Sequence, residues 1–145
     1  MKISTKGRYA LRMLIDLAEH QESGYVSLKD IASRQQVSKK YLEQIIPIFN
    51  HSNVLLTNRG SLGGYKRARP PDKYTVGEIL RLTEGSLAPV ACLDQEPNIC
   101  DRRDACATLP IWQGLNDVIN EYLDGITLQD ILDQQTERFG NDYVI

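Results

Sequence analysis

The chain has 145 residues, of which 41% are hydrophobic and 25% charged, with a formal net charge of -2. That size fits one domain with an appendage and leaves room for a real core, and the balance is that of a soluble globular protein. No apolar run reaches transmembrane length and residues 1–8 lack the apolar stretch of a secretory signal, so a cytoplasmic protein with no membrane partner is expected.

Ala10, Met13, Leu14, Leu17 and Ala18 recur at helical spacing behind Ser4 or Thr5 as N-cap, which predicts a first helix from about Thr5 to His20. After Gly24, Tyr25 and Val26 predict a short strand. Ser27 to Asp30 reads as the start of a capping box for a short second helix carrying Leu28, Ile31 and Ala32. Gln35 to Val37 form a turn, and Ser38 caps a third helix with Leu42, Ile45, Ile46 and Phe49 facing inward. Ser38, Lys39, Lys40, Glu43 and Gln44 are left pointing outward. Two short helices joined by a three-residue turn, the second with a polar and basic N-terminal face, describe a helix-turn-helix.

Val54 to Thr57 and Tyr65 to Ala68 then predict a hairpin around the glycine-rich segment Asn58 to Gly64, which makes the motif a winged helix. At its tip Arg59 stands beside Gly60, where a bare backbone allows close approach to a minor groove. Pro70 and Pro71 interrupt the chain. Thr75 to Glu78 is a capping box for a fourth helix through Ile79, Leu80 and Leu82 that stops at Gly85. Further on, Pro110 at the first helical position opens a long helix with Ile111, Leu115, Val118 and Tyr122 on one stripe and Trp112 and Ile119 beside it. Such a stripe outside a compact core predicts pairing with its own copy in a twofold homodimer. Thr127 to Asp130 caps a last helix bearing Leu128, Ile131 and Leu132, and the tail from Gly140 is expected to be loose.

The expected fold class is therefore mostly α with a small β wing. A winged-helix DNA-binding domain spans residues 1–85, a cysteine-containing loop 86–108, and a dimerisation helix with a C-terminal helix 109–145. Charge follows the same plan. Residues 1–75 carry 13 Lys and Arg against 6 Asp and Glu, whereas residues 76–145 carry 4 against 13. A basic half is the electrostatic footprint of a polyanion-binding module, and an acidic half is held off phosphates by repulsion.

All three cysteines, Cys92, Cys100 and Cys106, lie in one stretch of 15 residues that has almost no apolar periodicity and cannot order itself by burial. Soft thiolates at short spacing in front of a helix suit an iron-sulfur cluster or a zinc ion. An odd number of thiols argues against a disulfide framework, and direct response to oxidants is the remaining binding-protein alternative. Catalytic redox use is disfavoured, because there is no Cys-x-x-Cys pair and His20 and His51 lie far from the thiols in sequence.

With these pieces in order, the chain resembles the Rrf-two type of winged-helix regulators, whose members include IscR, NsrR and CymR. The resemblance is carried by the opening Met1 to Ala10, by Ser38 to Gln44, by the wing Arg59 to Tyr65 and by Gly125 to Leu128, and it covers nearly the whole length. It implies a homodimer built on the long helix after the cysteines, with recognition helices in successive major grooves of double-stranded DNA and a pseudo-palindromic operator. It further implies that Cys92, Cys100 and Cys106 stand where the IscR-like members carry iron-sulfur ligands, a 2Fe-2S cluster being favoured over 4Fe-4S, whereas CymR-like members are cluster-free. The sequence departs from the IscR pattern in leaving seven and then five residues between cysteines, and in having Leu109 where that pattern places a histidine. The position from which some relatives recruit a partner carboxylate is Arg8, which cannot ligate iron. The fourth ligand stays open among Asp94, Glu96, Asp101, Asp104, Glu43, His51, solvent and a small thiol.

Overall fold

The computed structural model describes residues 1–140. Helix α1 runs from Thr5 to His20, with Ser4 as its N-cap accepting from the Gly7 N–H. Helix α2, Leu28–Gln35, is capped by Ser27 and stopped by Gln36 in the left-handed conformation at φ 55°. Helix α3, Lys39–His51, is capped by Ser38, whose Oγ accepts from the Tyr41 N–H at 3.0 Å. Pro47 sits within α3 and leaves the Glu43 carbonyl without its intrahelical donor, which is tolerated because both residues face solvent.

Strands β1, Leu55–Asn58, and β2, Gly64–Arg67, pair antiparallel in the register Leu55↔Arg67 to Asn58↔Gly64 and form the wing. The expected strand at Tyr25 and Val26 is reduced to a single bridge between Val26 and Tyr65, which exchange backbone hydrogen bonds of 2.9 and 2.8 Å. That bridge joins the wing to the entrance of α2. Helix α4 spans Val76–Glu84, α5 Leu109–Asp124 and α6 Leu128–Gly140. The fold is thus mostly helical with one two-stranded wing.

Two local expectations are corrected. Thr75 caps α4 through the Glu78 N–H at 3.0 Å, but the Glu78 carboxylate does not complete a capping box and instead pairs with Arg69 at 2.8 Å. A charged partner outcompetes a backbone donor there. Helix α5 begins at Leu109, so Pro110 is its second residue, still within the first turn where a missing N–H is harmless. The loose tail expected from Gly140 lies, beyond Gly140 itself, outside the described residues.

The core is organised around α1, whose Ala10, Met13, Leu14 and Leu17 are fully buried against Ile31, Leu42, Ile45, Phe49, Val54 and Ile79. Burying each of the larger side chains contributes about 1.5–3 kcal/mol. Tyr74 is a pillar of this core. Its hydroxyl donates to the Val54 carbonyl at 2.8 Å and accepts from the Arg69 N–H at 2.9 Å, while the Arg69 guanidinium lies 4.2 Å from the ring centre. Asp16, also fully buried, receives three hydrogen bonds from the Arg34 guanidinium, at 2.7, 3.0 and 3.3 Å, and one from the Gln35 amide. Hydrogen bonding to Asp16 holds the Arg34 guanidinium above its ordinary value. The pair bolts α2 to α1.

The chain returns to this core at its end. Leu128 of α6 is fully buried in it, the Leu128 N–H donates to the Tyr74 carbonyl, and the Val76 N–H donates to the Ile126 carbonyl at 2.8 Å. Helix α5, by contrast, buries none of its residues fully. It is held to α4 by Arg81, which makes two bonds to the Asp124 carboxylate, at 2.7 and 2.9 Å, and one to Asn120 at 2.8 Å. The close approach requires Gly77, since a Cβ there would strike the Asp124 carboxylate. No helix among the described residues is long and apolar enough to cross a membrane.

Candidate nucleic-acid interface and cysteine loop

Ser38, Lys39, Lys40, Glu43 and Gln44 are all exposed on the N-terminal half of α3. The helix begins there, so its unpaired N–H groups and the positive end of its dipole lie in the same turn as the two lysines, an arrangement that attracts phosphate. Tyr41 supports this end from behind, edge-on to Tyr9 at 5.2 Å. An open groove runs between α3 and the wing, lined by Lys29, Lys39, Glu43, Asn50, Arg59 and Gly60 among others. It brings Lys39 and Glu43 together with Arg59 and Gly60 on one surface, while Lys40 and Gln44 stand on α3 outside that lining.

Sequence reasoning missed Lys29 and Asn50. Asn50 is seven residues after Glu43, two helical turns along the same face, and Lys29 is in the first turn of α2, so both could have been found by extending the outward stripe. Asn50 also receives a hydrogen bond from the Thr57 hydroxyl at 3.0 Å, which ties β1 to the far end of α3. Gln21 accepts from the Arg67 N–H at 2.9 Å and ties β2 to the end of α1. The wing is therefore braced at both strands. Its tip turns through a hydrogen bond from the Gly63 N–H to the Gly60 carbonyl at 3.0 Å, with Gly60 at φ 128°, a conformation that disfavours any side chain.

The cysteine loop is built differently. Cys92 lies in a single helical turn over Ala91–Leu93, Cys100 in an irregular stretch, and Cys106 just before α5. All three are unpaired thiols and all are partly exposed. Thr108, through its hydroxyl 3.5 Å from Sγ and through its backbone, holds the Cys106 thiol below its ordinary range, with a smaller contribution from the charge of Arg102. A thiol shifted that way reaches the thiolate form needed for ligation or oxidation more readily. Asn98 accepts from the Cys100 N–H at 2.9 Å, while its own side-chain nitrogen is buried without a hydrogen-bond partner.

These donors fit an iron-sulfur cluster in kind: three thiols, one of them acidified, and a buried amide N–H free to donate to sulfur. Among the described residues, however, no three His, Cys, Asp or Glu side chains stand together as a metal site. The candidate fourth ligands are likewise dispersed. Asp94, Glu96, Asp101 and Asp104 are exposed along the loop, while Glu43 and His51 are exposed on α3.

Comparison with known proteins agrees with this architecture. The profile of the Rrf2 family, described as an iron-dependent transcriptional regulator, matches residues 3–134. The HTH-type transcriptional regulator CymR of Bacillus subtilis is 39% identical over 132 residues, which cover 90% of this chain and 89% of that protein. The solved structure of CymR, titled as the global cysteine regulator of B. subtilis, superposes with a TM-score of 0.75 at 34% identity, covering 92% of this chain and 98% of that one. That of T. potens IscR superposes with a TM-score of 0.76 at 38% identity, covering 95% and 90%. The winged helix-turn-helix, the basic groove and the length of these matches lead to one conclusion: the chain belongs to the Rrf2 family of DNA-binding transcription regulators and is not an enzyme.

Proposed function

We propose that this regulator senses iron-sulfur clusters: as a cytoplasmic homodimer it represses genes from pseudo-palindromic operators, and the state of its cysteine loop alters which operators it binds. The observation that carries the reading is the junction of three partly exposed, unpaired thiols with the start of α5, the helix whose apolar stripe is left uncovered. A bound cluster supplies a three-point tie sensitive to cluster supply and to oxidants. The chain does the rest. Drawing Cys92, Cys100 and Cys106 together orders residues 92–106 against the N-terminus of α5. Asp124 and Asn120 at the other end of α5 grip Arg81 of α4, so a reset of α5 is passed to the winged helix. Two recognition helices in a dimer must meet half-sites about 34–36 Å apart, and duplex spacing tolerates little error. A coupling of about 1–3 kcal/mol between loop and operator follows from such geometry. By analogy with IscR, the target genes include those of cluster assembly.

The test is the variant with Cys92, Cys100 and Cys106 all changed to alanine, compared with the parent chain purified without oxygen. The parent is expected to show visible absorbance with stoichiometric iron and sulfide. The variant is expected to fold, dimerise and bind some DNA while losing discrimination between operator classes by about 5- to 150-fold. Colourless parent protein that binds every operator as the variant does sinks the proposal. A second reading, in which the same thiols hold zinc or are oxidised directly, draws on the acidified Cys106 and on the likeness to CymR. Zinc content without sulfide, or operator release on thiol oxidation alone, marks that outcome.

On the DNA face the roles divide by charge. Lys39 and Lys40 contact phosphates, whereas Glu43 and Gln44 read base edges, since a carboxylate accepts from cytosine and repels phosphate. Lys39→Ala is expected to weaken all sequences alike and to flatten the salt dependence by about 0.9 in log–log slope. Glu43→Ala is expected to relax specificity at one base position by about 1–3 kcal/mol, with little loss on random DNA. Equal losses on operator and random duplex for Glu43→Ala contradict the assignment.

A further inference from the structure

Leu62 is 90% exposed, more than any other large apolar side chain among the described residues. A lone exposed leucine on a surface is ordinary, so exposure by itself carries nothing. Its setting is what distinguishes it. The hydrogen bond from Gly63 to the Gly60 carbonyl makes Ser61 and Leu62 the two central residues of the turn at the wing tip. A Cβ at Gly63 would lie 2.8 Å from the Gly60 carbonyl oxygen and would also strike that of Asn58, so the turn holds only with a bare backbone on that side of the apex. The strands beneath are pinned to α3 by Thr57 and Asn50, to α1 by Arg67 and Gln21, and to Val26 by the Tyr65 bridge. The apex is therefore a rigid, apolar point held beside Arg59, on the edge of the groove that also carries Lys29 and Lys39. Cations on that face favour a polyanion over a neutral apolar partner as the surface that Leu62 meets.

We infer that Leu62 is a wedge residue: when α3 lies in the major groove, the wing tip presses this side chain into the adjacent minor groove, against or between base steps, and so selects for a deformable step. Apolar side chains enter minor grooves in this way at the cost of unstacking, and pyrimidine–purine steps such as TpA unstack most easily. Arg59 favours an A·T-rich flank, and Leu62 adds a preference within it, for a TpA step over a stiff A-tract. The inference rests on the reading of α3 and the wing as the DNA face, and the experiment separates the two.

A duplex is selected from a random pool by the full-length protein, and 2-aminopurine is placed at each step of the flanking minor groove. Binding is measured as a function of salt for the parent, Leu62→Ala, Leu62→Met, Arg59→Ala and Lys39→Ala. The parent is expected to brighten the probe at one step and to bind a TpA there about tenfold more tightly than ApA. Leu62→Ala is expected to lose both the brightening and the preference while keeping the parent's salt slope, because no phosphate contact is removed. Leu62→Met, apolar and of similar reach, is expected to restore them, whereas Arg59→Ala and Lys39→Ala flatten the slope by about 0.9. If Leu62→Ala binds and brightens like the parent while the two cationic variants weaken binding, the wedge is refuted and the DNA face stands. If the cationic variants also bind like the parent, both fail together.

Discussion

Arg34→Ala is expected to lower folding stability by about 3–5 kcal/mol at neutral pH. The asymmetry of the pair explains the size. The Asp16 side chain is 1% exposed and that of Arg34 34%, so removing the arginine strands a carboxylate that has no route to water. Gln35 remains as a donor and His20 Nδ1 stays 3.8 Å from the carboxylate, which places the expected value toward the lower end of that range. Urea melts of parent and variant at neutral pH decide it, and a small deficit shows that the pair does not bolt α2 to α1. Asp16→Asn, which removes the charge but keeps one oxygen able to accept from Arg34, is the informative companion and is expected to be milder than Arg34→Ala.

Val118→Glu is expected to turn the proposed homodimer into a folded monomer and to reduce its operator affinity by about a thousandfold, to the level of non-specific binding. Ile111, Leu115, Val118 and Tyr122 recur on one face of α5 and are 42% to 68% exposed, a stripe that nothing else among the described residues covers. Two copies meeting along it would place both introduced carboxylates in an apolar seam, where unpaired charge is costly. Val118 belongs to neither buried cluster, so the thermal transition of the winged helix is expected to change little. Sedimentation and anisotropy on a full operator and on a half-site provide the check. A variant that still sediments as a dimer shows that the stripe is not the seam.

The helices were legible because their signals are local. Ser4, Ser27, Ser38 and Thr75 accept from N–H groups three residues on, and Leu42, Ile45, Ile46 and Phe49 share one face by spacing alone. What escaped were partnerships between distant residues. Asp16 interrupts an apolar run and reads as solvent-facing until Arg34, 18 residues away, is brought to it. Glu78 satisfies the capping pattern in sequence but is claimed by Arg69, which only the turn at Pro70 and Pro71 places within reach. Tyr74 stands between proline turns and a helix and shows no periodicity, so its role as a buried pillar was invisible. For the candidate site, the outward residues of α3 followed from the inward ones, whereas the rigidity of the wing depends on Gln21 and Asn50, whose partners lie in other elements. The thiols were evident from spacing. Their dispersal along the loop could not be, because spacing limits how near ligands can come without saying when they gather.

The chain leaves the winged helix after α4 and comes back at Ile126, where backbone bonds to Val76 and Tyr74 and the burial of Leu128 close the circuit. The cysteine loop thus behaves as an inserted cassette between α4 and α5, whereas α5 itself is tied back to α4 by Arg81 and by Ile119 and Leu123 packed on Val76 and Leu80. Doubling the length of a flexible loop costs only about 0.6 kcal/mol. A cassette mounted in this way can be lengthened, shortened or given another set of ligands while the DNA-reading head stays whole. Descendants of one ancestral reader could in this manner acquire different signals by rewriting some two dozen residues, and an engineer could graft a foreign sensing loop between Leu87 and Leu109, leaving α5 in place, on the same terms.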